Sequence, residues 1–425
     1  MKIPALCAAG LLACNFLSAQ PPVYLYLASH NETNDRSFHG LDYDNAADYA
    51  VIRDLAQAIC DSVLAYDAAY VMMPESNFIN ACLKHENAHT NPEDLLQWAD
   101  EHPQIEVEPH NHFSLTAGPG YNPYNYADLA CLLDSCGLAA PRKLMGGFIW
   151  RNFNSPPVAE DWTAWQTPQP GHTFPGYQWQ PQILWGGGSP GHVDDFEAFG
   201  VWRPAAPTIA GFGANNPDQP LVCLGNGCNN EFIITDTTDV TLLANRVINL
   251  LDDIRNGTWP PEAFFSFKVM MNFRHLPSPG YVDKVGELLH RLQPYREAGY
   301  FVWATAEEAV AAWQDLHPSN EDHFLAGCDD FVISSDTPTL TGTMQEPIGA
   351  QNPEIFPNPA RDWVRIKGGP EPCERVTFYD LFGRLLLQVK APGQGEIRVD
   401  KLPPGVIVVA IEQRLTKSIH LMIKA

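Results

Sequence analysis

The sequence predicts an α/β protein: a β/α barrel of about seven units, incomplete or irregular in places, followed by a separate all-β domain. Three observations carry this reading. From Val23 to about His317, continuous apolar runs alternate with segments of helical period. Residues 151–180, rich in Pro, Gly and Trp, interrupt that rhythm. From Ile355 onward, short alternating strands replace helices altogether.

The elements follow in order. Val23-Tyr24-Leu25-Tyr26-Leu27-Ala28 is an apolar run suited to a strand buried on both faces. Asp48 to Tyr66 reads as a helix, with Val51, Leu55, Ile59 and Val63 at intervals of four. Tyr70 to Met73 and Ile105 to Glu108 read as strands. Between them, Asn91-Pro92-Glu93 opens a helix, with Asn91 as cap and Pro92 in the first turn. Tyr126 to Leu138 is helical and Leu144 to Trp150 is a strand. After the irregular segment, Gln182 to Trp185 resumes the sheet, and residues 200–236 read as short strands and turns. Asp239 to Ile254, Tyr281 to Ala298 and Ala306 to Leu316 are helices. Ala263 to Met271 and Tyr300 to Ala304 are the late strands. Repeated βα units imply a parallel sheet. About seven of them in roughly three hundred residues favour a barrel over a doubly wound open sheet. In either architecture, ligands bind beyond the carboxyl ends of the strands.

The ends set the compartment. Lys2, the apolar stretch Ile3 to Phe16 and the small residues before Gln20 form a secretory signal over residues 1–19. Leu11-Leu12-Ala13-Cys14 offers an alternative, a lipoprotein signal acylated at Cys14. The body then spans residues 20–317, a linker rich in Asp, Ser, Thr and Pro spans 318–354, and the β-domain spans 355–425. No later apolar run is long enough for a transmembrane helix. A formal charge of −24 argues against a nucleic-acid partner. Of ten cysteines, Cys7 and Cys14 belong to the leader. Cys223 and Cys228 enclose the tight turn Leu-Gly-Asn-Gly and are the best local disulfide candidate.

The candidate chemistry lies at strand ends. The first strand runs into Ser29-His30-Asn31-Glu32, and the third into Glu108-Pro109-His110-Asn111-His112. His30, His110 and His112 are candidate ligands for one divalent metal, and zinc suits neutral imidazole. Glu32 is the candidate general base beside a metal-bound water. A late strand leads into Arg274-His275, where His275 is a candidate acid and Arg274 a substrate contact. Trp162, Trp165 and Trp179 crowd the irregular loop and offer faces on which a sugar can stack.

The first-strand motif, the histidine pair and the closing segment Gly299-Tyr300-Phe301-Val302-Trp303-Ala304-Thr305-Ala306-Glu307-Glu308 resemble the polysaccharide deacetylases and their β/α-barrel glycosidase relatives. The resemblance spans residues 23–316. It departs in having His30-Asn31-Glu32 where deacetylases carry adjacent Asp residues. Only Asn111 separates the two histidines, where that family has a longer spacer. The resemblance implies a secreted, metal-dependent hydrolase acting on carbohydrate. Two alternatives are a glycoside hydrolase on the same barrel, using paired carboxylates, and a non-catalytic surface protein that binds glycans through the Trp-rich loop.

The tail carries Phe356-Pro357-Asn358-Pro359, Tyr379-Asp380-Leu381-Phe382-Gly383-Arg384, Leu402-Pro403-Pro404-Gly405 and a basic Ile423-Lys424 end, in that order. It closely resembles the C-terminal sorting domain of the type IX secretion system. That resemblance implies that the type IX machinery is a partner, that the protein crosses an outer membrane, and that it is secreted or held at the outer cell surface.

Overall fold

The computed structural model describes residues 22–31, 40–86, 94–111, 123–148, 162–186, 196–319 and 323–338, and, in the tail, 354–356, 363–367, 373–379, 385–390, 397–403, 405–413 and 417–424. The leader, Glu32, His112 and the Asn91-Pro92-Glu93 helix start lie outside these residues. The chain divides into two units, Met1–Pro338 and Thr339–Ala425.

Strands and helices alternate from Val23 to Ser135 and again from Val240 to Leu316, with a run of short strands between them. The elements are β1 (Val23–Asn31), α1 (Ala46–Ala65), β2 (Tyr70–Pro74), α2 (Ser76–His85), α3 (Leu95–Asp100), β3 (Ile105–Val107), α4 (Tyr126–Ser135) and β4 (Leu144–Gly146). Then come β5 (Ile183–Trp185), β6 (Val201–Trp202), β7 (Val222–Leu224), β8 (Ile233–Ile234), α5 (Val240–Asn256), β9 (Phe265–Asn272), α6 (Tyr281–Glu297), β10 (Val302–Trp303) and α7 (Ala306–Leu316). The helix starts are capped by side chains that the local sequence supplies. Asn45 accepts from Ala47 N and Asp48 N, and Asp239 from Thr241 N and Leu242 N. Thr305 with Glu308, and Asn125 with Asp128, form reciprocal capping boxes.

The apolar stripe of α1 differs in phase from the expected one. Tyr49, Ile52, Ala56, Ile59 and Val63 are buried, whereas Val51 is 47% exposed. A strict interval of four drifts around a helix of 3.6 residues per turn, so the first position of such a series leaves the core face.

The closed barrel expected from the sequence is not what the described residues form. One parallel sheet runs β8–β9–β1–β2–β3, with β10 parallel to β1 at Tyr24 and Leu25. A second sheet runs β4–β5–β7–β6. It is parallel except for the antiparallel β6. A single parallel bridge, His110 to Gly146, links the end of β3 to β4. The reason is local. β4 is only three residues long, and β6 occupies the edge of β7 that closure toward β8 would need. Aromatic packing fills that region instead, with Phe199 and Phe232 at 6.0 and 5.4 Å from Phe267.

Register neighbours share a sheet face, which separates two layers. Tyr26 and His30 of β1 pair with Lys268 and Asn272 of β9. Across the bridge, Gly146 pairs with Trp185. Met145, Leu184, Trp202 and Cys223 point to the opposite face. There they join Trp162, Trp165 and Phe212 in a second apolar core.

Two further readings are corrected here. Trp162 and Trp165 are fully buried, and Trp179 is 7% exposed with its Nε1 donating to Arg142 O at 2.9 Å. These rings of the irregular segment are core, not a sugar platform, because they pack with Met145, Leu184, Trp202 and Phe212 in the second apolar core. The segment is also held by Asp128, whose carboxylate accepts the N–H groups of His172, Thr173 and Phe174. The proposed Cys223–Cys228 bond is absent. Cys223 is a buried free thiol on the outer face of β7, and Cys228 is bonded to Cys328. That bond brings the supposed linker onto the body. Ala326–Gly327 pairs antiparallel with Ala198–Phe199. Asn249 Nδ2 donates to Ser334 O at 2.7 Å and Asn245 Nδ2 to Ser335 O at 3.1 Å.

In the tail, Leu385–Lys390, Cys373–Tyr379, Gly405–Gln413 and Lys417–Lys424 form a four-stranded antiparallel sheet in that order. Glu354–Phe356, Trp363–Lys367 and Ile397–Arg398 form a three-stranded one. Val364, Val376, Phe378, Ile397, Val399 and Ile407 are among its buried core.

Candidate functional site

His30 ends β1, and His110 follows β3 at the same end of the sheet. Their rings stack, with centroids 3.8 Å apart and planes 27° from parallel. Trp185, ending β5, meets His30 edge-on at 5.6 Å and 80°. The indole is itself fixed: its Nε1 donates to Tyr26 Oη at 2.5 Å, and Lys268 Nζ lies 3.9 Å from the ring centroid. Lys268 is 2% exposed, so this ammonium is balanced within the interior. Trp185 and Lys268 were not among the sequence candidates. Their only local signal is a position at, or within, a strand on the face that His30 shares.

Backbone devices hold His110. It is fully buried. Gly147, at φ +70°, lies against its ring, where any Cβ would collide. Gly146 N donates to Pro109 O at 3.1 Å, and Tyr126 Oη to Gly146 O at 2.7 Å. One step before, Glu108 accepts Lys143 N at both carboxylate oxygens and Leu144 N at Oε2, each at 3.1 Å. The carboxylate thus stands in for the missing β3–β4 ladder and sets the register that carries His110 to His30.

Glu106, Glu108 and Glu307 bring one oxygen each within 4.8 Å of one another. Lys143 pairs with Glu307, and Glu307 N donates to Glu106 Oε2 at 3.0 Å. Burial, with Glu106 adding, drives the Glu108 carboxyl well up. Burial also pushes Glu106 up to about 7, against the Glu307 N–H that it accepts. A carboxyl whose folded value exceeds its ordinary 4.5 binds its proton more tightly in the folded state. Its contribution to stability is therefore complete below about 4.5 and is lost as pH rises through about 7. Denaturant titrations of wild type and Glu106→Gln across this window should diverge, with the wild type losing more stability toward pH 8. Parallel curves would refute the assignment.

The other candidates fall as follows. His275 Nδ1 lies 2.9 Å from Asp236 Oδ1, in the turn that ends β9. Arg274 is partly buried beside it, its N–H donating to Asn272 Oδ1 at 3.2 Å. Asn272 is the register partner of His30, so His30, His110 and His275 all belong to the strand-carboxyl end. Glu32 and His112 lie outside the described residues.

Comparison with known proteins bears on the tail. No curated protein matches the chain. Among solved structures, the crystal structure of an engineered protein aligns over 95% of this chain and 93% of its own, at 10% identity and a TM-score of 0.25, which carries no argument. Residues 354–425 match the family described as the secretion system C-terminal sorting domain. No helix among the described residues is long and apolar enough to cross a membrane. The tail is thus a type IX sorting domain, and the protein is an exported one, secreted or held at the outer cell surface.

Proposed function

We propose that the body is a metal-dependent hydrolase acting on carbohydrate outside the cell, most like a polysaccharide deacetylase. One observation supports this above the rest: imidazoles from two separate strand ends stack at 3.8 Å. Paired imidazoles are a donor set that suits zinc. His30 and His110 would hold the ion, with His112 as the third ligand and Glu32 as the base. A bound ion would supply Lewis-acid polarisation and an acidified water.

The protein groups have separate roles. Asp236 stands 2.9 Å from His275 Nδ1, and the imidazole would deliver a proton from Nε2 to a leaving group. Arg274 offers a fixed cation to the substrate. Trp185 and the buried His110 keep the inner wall of the site dry, which strengthens each electrostatic contact there.

Elemental analysis and acetate release from acetylated oligosaccharides test the reading. Wild type should carry a stoichiometric transition metal and release acetate. His30→Ala and His110→Gln should lose both. Gln retains most of the ring's volume, so its effect reports ligation rather than a cavity. A double variant that keeps full occupancy at the site, or a wild type that binds no metal, rejects the proposal.

A further inference from the structure

Away from His30 and His110, three helix ends converge on a buried polar knot. Glu86 caps the C-terminus of α2, one turn beyond Cys82. Asp94 caps the N-terminus of α3, and Cys136 the C-terminus of α4. Cys82 is fully buried, while Cys136 and Glu86 are 5% and 6% exposed. We propose that Cys82, Glu86, Asp94 and Cys136 form a second metal site, of thiolate and carboxylate donors, for one zinc-class divalent ion.

The geometry supplies the first argument. One ligand atom each from Cys82, Glu86 and Asp94 lies within 4.8 Å of the other two. The Cys136 thiol is buried at the C-terminus of α4 and makes no hydrogen bond among the described residues. Three of the four donors therefore share one small volume, and Cys136 is taken as the fourth.

The remaining contacts leave room for an ion. Glu86 Oε2 accepts from Arg53 Nε at 3.1 Å and Leu95 N at 2.7 Å, while Oε1 accepts from Tyr49 Oη. Tyr49 Oη also lies 3.0 Å from Cys82 Sγ. Asp94 Oδ1 accepts from Leu96 N at 2.9 Å. The Gln97 N–H also bonds the Asp94 carboxylate, and Glu86 Oε1 keeps a lone pair.

Charge is the second argument. Two carboxylates and two thiols face one cation, Arg53. A divalent cation would offset the negative donors, with Arg53 balancing the remaining charge. Thiolate donors select zinc and its neighbours over magnesium or calcium. Ligation would also keep two cysteines reduced in a protein whose Cys228 and Cys328 are oxidised.

Cobalt(II) titration of the reduced, chelator-stripped full-length protein is the test. A thiolate-to-cobalt charge-transfer band should grow to one equivalent, disappear on adding zinc, and persist in His110→Gln, which separates this site from the imidazole one. Cys82→Ser and Cys136→Ser should each abolish the band. Asp94→Asn preserves an equally good helix cap and should weaken cobalt binding by at least about tenfold, which guards against a serine variant that fails to fold. The proposal is overturned if reduced wild type gives no such band, if the band survives in the double Cys variant, or if protein purified without reductant yields a Cys82–Cys136 disulfide and no zinc.

Discussion

Replacing Cys228 and Cys328 with serine is expected to destabilise the body by about 4 kcal/mol. The bond joins residues 100 apart in sequence. A cross-link that closes a long loop removes more freedom from the unfolded chain than a short one does. The Cys223–Cys228 pairing expected from sequence would close a far smaller loop and would contribute less. The fold itself should persist, because the arm has other anchors. Phe331 packs on Phe199 and Trp259 at 5.0 and 5.5 Å, and the Asn245 and Asn249 side chains hold its carbonyls. Guanidinium unfolding of wild type and the double serine variant measures the difference. A loss below about 1 kcal/mol would mean that the arm detaches early and that the bond constrains little of the body.

Gly147→Ala should have the second large effect, because it tests the device that seats His110. The position has φ +70°, and an added Cβ would overlap Cε1 and Nδ1 of a ring that is fully buried and stacked on His30. Left-handed backbone costs an L-residue roughly 1–2 kcal/mol, and overpacking a core typically adds 1–3. The expected loss is therefore about 2–5 kcal/mol, with metal affinity reduced at least tenfold as the ring is displaced. Gly299→Ala is the control. Its φ is +74°, but nothing lies within 4 Å of its added Cβ, so it carries the backbone strain alone. If both alanines cost the same and metal binding is unchanged in Gly147→Ala, Gly147 does not position the histidine.

The strands and helices at either end of the body and the sorting tail were legible in the sequence. Each is written in contiguous residues: an apolar run, a 3.6-residue period, a Pro-Asn-Pro opening. The strand-end placement of His30 and His110 was legible for the same reason, since both follow directly from β-runs. The rest depended on residues that are distant in sequence. Cys228 prefers Cys328 over its neighbour Cys223 because the latter points to the opposite face of β7, into the second core. The tryptophans of the irregular segment read as a platform until Met145, Leu184 and Trp202 were seen to need covering. The sheet stops short of closure because an antiparallel strand takes the edge of β7, a pairing that no local period encodes. Glu108 looked like one polar residue in a motif, and only the absence of a β3–β4 ladder gives its carboxylate a register to hold. Local sequence encodes what a segment forms. Which surfaces meet is decided by burial and hydrogen-bond satisfaction across the whole chain, and the stacked histidines and the Cys82–Glu86–Asp94 cluster are products of that second level.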